Sequence, residues 1–122
     1  MQTKEKNLIV ELTFSFALKI IKYAEALEKD RKYIIARQLL WSGTGIGANV
    51  REAQNAESKA DFIHKMKIAA KETDETIYWL LLCQQSENYP ELNTLKPDAE
   101  SILRVISKII ASSKNSIRNP DI

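Results

Sequence analysis

A chain of 122 residues has room for one domain with one core. Its apolar fraction, 44%, is ordinary for a globular protein, while three glycines and three prolines are too few for a loop-rich or all-β fold. The net charge of +2, from 18 Lys and Arg against 16 Asp and Glu, excludes nucleic-acid recognition by bulk charge, because phosphate contact needs clustered cations.

The first element is a helix over residues 3–29, which contain neither Gly nor Pro. Ile9, Leu12, Phe16, Ile20, Tyr23 and Leu27 recur at spacings of three and four, the helical stripe. A second stripe runs through Val10, Phe14, Ala17, Ile21 and Ala24. A helix with two apolar faces needs more burial than one neighbour supplies, which points to self-association.

Asp30 is the expected N-cap of a second helix over 31–56, because its carboxylate can accept from free amides of the first turn. Ile35, Leu39, Ser42 or Gly43, Ile46, Val50 and Ala53 form one stripe whose period does not reset across Gly43, Gly45 and Gly47. Each Gly costs about 1 kcal/mol relative to Ala in a helix interior. Gly43 and Gly47, four apart, share a face and are the predicted helix-packing residues, where a neighbouring backbone approaches closely. The run is not a phosphate loop: no Gly-Lys-Ser/Thr follows it, and no strand precedes it.

Ser58-Lys59-Ala60-Asp61 resembles a capping box and opens a third helix over 58–87, with Phe62, Met66, Ala69 or Ala70, Thr73, Ile77, Leu80 and Leu81 on its core face. Asn88-Tyr89-Pro90 ends it. A fourth helix is expected over 97–115, with Pro97 in its first turn and Ile102, Val105, Ile106, Ile109 and Ile110 inward. The polar tail from Asn115 to Ile122 is expected to fray. Short connections favour antiparallel neighbours, so the chain reads as a single all-α domain over 1–122, an antiparallel up-down-up-down four-helix bundle.

The longest apolar stretch, residues 79 to 83, is five residues, or seven from 77 with Tyr78 counted, whereas a membrane span needs about 20. Polar residues follow Met1 with no signal-like apolar segment, and a lone cysteine, Cys83, suits a reducing compartment. A cytoplasmic protein without membrane contact is expected.

Two motifs carry a family resemblance. Residues 36–40 (Ala-Arg-Gln-Leu-Leu) with 42–53 (Ser-Gly-Thr-Gly-Ile-Gly-Ala-Asn-Val-Arg-Glu-Ala) form the first; Asp61-Phe62-Ile63-His64, Lys67 to Glu72 and Glu75-Thr76 form the second. Together they resemble the second- and third-helix signatures of the four helix bundle protein family, also called the 23S ribosomal RNA intervening-sequence or S23 proteins. Many members carry Ser-Ile-Pro where this chain has Gly45-Ile46-Gly47. The resemblance, over about residues 8 to 113, implies a bacterial, cytoplasmic bundle that assembles into a ring-like homopentamer and has no known catalytic activity. Some members are encoded in spacers that interrupt large-subunit ribosomal RNA. A related branch, the accessory protein of diversity-generating retroelements, is a basic pentamer linked to nucleic acid and a reverse transcriptase.

Other chemistry is thin. Asp61 and His64 have a metal-site spacing, but His64 is the sole histidine, so neither metal nor cofactor is expected. Glu72, Asp74 and Glu75 read as an ion-paired helix face compensated by Lys67 and Lys71, or as an acid reaching Arg37 or Arg51. Cys83 reads as a small core residue. Cations are uneven: Arg104, Lys108, Lys114 and Arg118 share residues 101–118 with no acid. The candidate nucleic-acid contacts are Arg37, Arg51, Arg104, Lys108 and Lys114, and the candidate interface aromatics are Trp41 and Trp79.

The leading expectation is a non-enzymatic oligomeric scaffold or adaptor for structured RNA or an RNA–protein complex, with no small-molecule substrate. The alternative is a protein–protein interaction module without nucleic-acid contact. Convergence of the second- and fourth-helix cations on one face would favour the first.

Overall fold

The computed structural model describes residues 4–118. It contains α1 (Lys4–Lys29), α2 (Tyr33–Gln54), α3 (Lys59–Gln85) and α4 (Leu95–Arg118). Each helix packs on its successor, and α4 packs back on α1; the backbones of the diagonal pairs α1/α3 and α2/α4 do not approach closely among the described residues. Successive contacts run in opposite directions. Ile20 lies against Gly43 and Thr13 against Gly47, while Ser42 meets Thr76 and Glu52 meets Lys65. The fold is the expected antiparallel four-helix bundle.

The predicted stripes supply the core. Ile9, Phe16, Ile20 and Leu27 of α1 meet Leu39, Ile46 and Val50 of α2, Met66 and Leu80 of α3, and Ile102 and Ile106 of α4. Full burial of such side chains contributes about 1.5–3 kcal/mol each. Both Ser42 and Gly43 are buried, as is Ala69, whereas Ala70 is half-buried and Leu81 is exposed. The buried hydroxyls are satisfied: Thr13 donates to the Ile9 carbonyl at 2.8 Å, and Thr73 to that of Ala69 at 2.7 Å.

Boundaries shift where local turn chemistry differs from the sequence expectation. Asp30 does not cap α2. Lys32 occupies the cap position without a side-chain bond, and α2 starts at Tyr33. Residues 30–32 instead close α1: Arg31 has φ 63, its amide donates to Glu28 O, and Lys32 N donates to Leu27 O. This is the Schellman pattern, here with a non-glycine residue in the left-handed position. Ser58 does cap α3, accepting from Asp61 N at 3.0 Å, while the Asp61 carboxylate accepts from Glu57 N rather than from the cap residue itself.

At the other end of α3, the helix stops at Gln85, two residues before the expected end. Leu95 begins α4, which makes Pro97 its third residue, where a missing N–H still costs no intrahelical bond. The helix also continues to Arg118, so the expected fraying of 115–118 is not seen. The rest of that tail, 119–122, and the expected first helical residue, Thr3, lie outside the described residues. Tyr23 fastens the 86–94 connection by donating to Pro90 O at 2.8 Å. Lys19 pairs with Asp98 at 2.8 Å and anchors the start of α4 to α1.

Candidate nucleic-acid and self-association surfaces

The glycines of α2 face different neighbours. A Cβ on Gly43 would lie 2.8 Å from Cγ1 and Cγ2 of the fully buried Ile20, closer than packed carbon atoms tolerate. On Gly47 it would lie 3.4 Å from the Thr13 carbonyl oxygen, an ordinary contact. Gly45 points the other way, toward Glu72 Oε2 at 3.2 Å. Gly43 and Gly47 thus share the α1 side of α2, and Gly43 carries the tighter constraint.

Outside this seam, α1 and α2 build an apolar outer surface. Val10, Phe14 and Ala17 line a groove of about 470 Å³ with Thr44, Gly47 and Ala48, and Glu11 and Arg51 also border it. Leu18 and Ile21 follow Phe14 at helical spacings; Trp41 and Ile34 precede Ala48 by two and four turns. Exposure is high at Phe14 (58%), Trp41 (65%) and Ile34 (81%), large apolar side chains open to solvent on neighbouring helices. A second exposed group, Tyr78 and Leu82, lies one turn apart on α3. Trp79 is half-buried beside Tyr78, with ring centroids 5.4 Å apart, and its enclosed indole N–H has no hydrogen-bond partner among the described residues. Of the two candidate interface tryptophans, Trp41 is exposed and Trp79 mainly packs inward.

The candidate cations fall into two sets. Arg37 and Arg51 are on α2; Arg104, Lys108 and Lys114 are on α4, and these helices are diagonal. They do not converge on one face of the bundle. Arg51 shares the apolar groove with Glu11, so acid is interspersed there. The α4 cations have a different companion, α3. Residues 62–71 contain no acid, and α4 lacks one from 101 to 118. Among the described residues the ion pairs are Lys19–Asp98 and Lys65–Glu52, so Lys67, Lys71, Arg104, Lys108, Lys114 and Arg118 form none there. Lys67 and Lys114 instead face each other across the α3–α4 seam, and the Lys67 charge pushes the Lys114 ammonium below the usual lysine range.

Lys67 forms no ion pair with the acids of its own helix among the described residues, and Lys71 is the cation that acts on Glu72. Glu72 sits in the α2–α3 groove against Gly45 rather than with Arg37 or Arg51. Burial, reinforced by the Glu75 charge, raises its pKa, and Lys71 opposes the rise. Burial likewise raises the Cys83 thiol, which contacts Tyr23. A raised thiol pKa disfavours the thiolate a nucleophile needs. His64 is exposed, and no group of three potential metal ligands occurs among the described residues. No described helix is long and apolar enough to cross a membrane.

Residues 5–108 match the family described as 23S rRNA-intervening sequence protein. The chain belongs to that family. A crystal structure of a Bacteroides thetaiotaomicron VPI-5482 protein with unknown function, from the S23 ribosomal protein family, is similar at 36% identity with a TM-score of 0.83. The similarity covers 88% of this chain and 98% of that one, so the intervening-sequence protein fold extends over nearly the whole bundle. No curated protein matches the chain.

Proposed function

We propose that this intervening-sequence family protein is a non-enzymatic, cytoplasmic scaffold that self-associates and presents cations to structured RNA or an RNA–protein complex. The observation that carries the reading is the opposition of two outer surfaces. The α1–α2 side exposes Phe14, Leu18, Ile21 and Trp41, and the α3–α4 side holds unpaired cations in two acid-free helix segments. In a bundle where each helix packs on its chain neighbours and α4 closes back on α1, these sides are opposite each other.

The separate apolar groups on α1–α2 and α3 suit a head-to-tail contact, which closes into a ring when the rotation permits. Five subunits, as the family resemblance implies, would multiply each weak cationic patch. Binding strength then falls steeply with salt, by a log–log slope of about −0.9 for each duplex phosphate neutralised.

The test is binding to a structured RNA at two salt concentrations, with oligomeric mass measured in parallel. Salt-dependent binding by a multimer is expected; no binding at low salt removes RNA from the reading, and a monomer removes the assembly. The second reading, a protein–protein module without nucleic-acid contact, is favoured by the apolar α1–α2 surface alone. It predicts assembly that persists with no affinity for RNA.

A further inference from the structure

The α3–α4 seam places like charges together where a folded protein ordinarily separates or pairs them. Lys67 and Lys71 are one turn apart on α3; Lys114 and Arg118 are one turn apart on α4. The Lys59 ammonium donates to Ser116 Oγ across the same seam, fixing the alignment of the α3 start with the α4 end. Lys67 and Lys114 meet between these pairs, and neither has an anionic partner among the described residues. Acids are displaced from the cluster: Asp61 turns back to Glu57 N, and Glu72 lies in the α2–α3 groove.

The favourable field at a helix C-terminus accounts for Arg118. It does not account for Lys67, which is in the middle of its cluster from α3 and two turns from that helix's N-terminus. Adjacent ammonium groups repel, and the repulsion is relieved when a multivalent anion sits between them. A phosphate group matches that geometry, since several oxygens can accept from Lys67 and Lys114 at once while Arg118 offers a bidentate fork.

We propose that Lys67, Lys114 and Arg118 form a phosphate-binding site on the α3–α4 seam that engages the backbone of the bound RNA. The phosphodiester as ligand rests on the RNA reading above. The contact is sequence-independent: it positions the strand and reads no base edges. Lys71 on α3 and Lys108 on α4 extend the cationic strip from the site, away from the Lys59–Ser116 contact.

The experiment compares the full chain with Lys67→Gln/Lys114→Gln and with a charge-matched control, Lys22→Gln/Lys29→Gln, on exposed positions of α1. A structured RNA is titrated over a range of salt, with helix content and assembled mass checked for each variant. Loss of the phosphate contact that the two lysines share reduces the salt slope by about one for each seam occupied and weakens binding at 0.1 M salt by about tenfold, beyond any change in the control. If the parent binds RNA and the seam variant matches the control, this site is overturned while the RNA reading stands.

A second arm titrates inorganic phosphate into the parent and follows the side-chain ε-carbon signals of Lys67 and Lys114. If the parent fails to bind RNA at low salt, the RNA reading falls, and this arm decides the site. Movement of both lysine signals sustains a phosphate site; unmoved signals overturn it.

Discussion

The α1–α2 and α3–α4 sides are built by the same means, two antiparallel helices with an apolar inner face, yet they spend their outer faces differently. On the α1–α2 side the Ile20 side chain presses on Gly43 and the Thr13 backbone lies against Gly47, and the outer surface carries Phe14, Leu18, Ile21 and Trp41 with interspersed acid and base. Across the α3–α4 seam, Lys67 and Lys114 confront each other, and segments 62–71 and 101–118 contain no acid. The difference teaches that a net charge of +2 conceals a polarised molecule. The position of each charge relative to its packing neighbour decides what a surface can bind.

The largest expected effect sharpens the contrast on the α1–α2 side. Gly43→Leu pushes a branched side chain into Ile20, whose buried position leaves no easy retreat. Overpacking of this kind costs about 3 kcal/mol or more. Gly47→Ala meets only ordinary contacts at 3.4 Å and gains up to about 1 kcal/mol of helix propensity. Urea denaturation should separate the two clearly. A Gly43→Leu variant as stable as the parent would show that the α1–α2 seam is not tightly packed there.

Next in size is assembly. Phe14→Ser/Trp41→Ser removes exposed apolar surface without touching the core, so folding should persist while the assembled mass collapses toward the 13.9 kDa monomer. Light scattering after size exclusion reads this directly. Retention of the parent mass would move the self-association contact to another surface.

Smaller still is the electrostatic relief on the opposite side. Lys114→Gln removes repulsion from Lys67, so at low salt it should raise the melting temperature slightly, and the gain should disappear at high salt. A lowered melting temperature would mean that Lys114 makes a favourable contact instead.

The smallest effect concerns Glu72, between the two sides. Its folded pKa is raised above the ordinary 4.5, so folding favours the protonated acid. That contribution is fully present below 4.5 and is lost as pH rises through the folded value. At pH 7 the charged carboxylate is a cost that Glu72→Gln removes. The variant should therefore melt slightly above the parent at neutral pH and coincide with it below about pH 4. A constant difference across that range would assign the effect to packing rather than ionisation.

The fold was legible because its signals are periodic and local. The unbroken stripe through Ile46 and Val50 identified the glycine run as helix, and Ser58 with Asp61 announced the start of α3. Asp30 misled because a good N-cap residue also sits comfortably in a helix-closing turn, and Arg31 takes the left-handed conformation there. The interaction surfaces were less legible. Pairing Lys67 with the acids of its own helix follows from sequence spacing, whereas its meeting with Lys114 depends on the relative register of α3 and α4. The acid-free stretch 62–71 was the available signal. Likewise, convergence of the α2 and α4 cations depends on which helices are adjacent, and in this bundle those two are diagonal.

The separation of roles between the two sides is tested most directly by sedimentation velocity with a labelled structured RNA at low salt, comparing Phe14→Ser/Trp41→Ser with Lys67→Gln/Lys114→Gln. The expected result is that the lysine variant keeps the parent's assembled mass and carries less RNA, while the aromatic variant loses assembled mass. A lysine variant that carries RNA as the parent does, or an aromatic variant of unchanged mass, would contradict it.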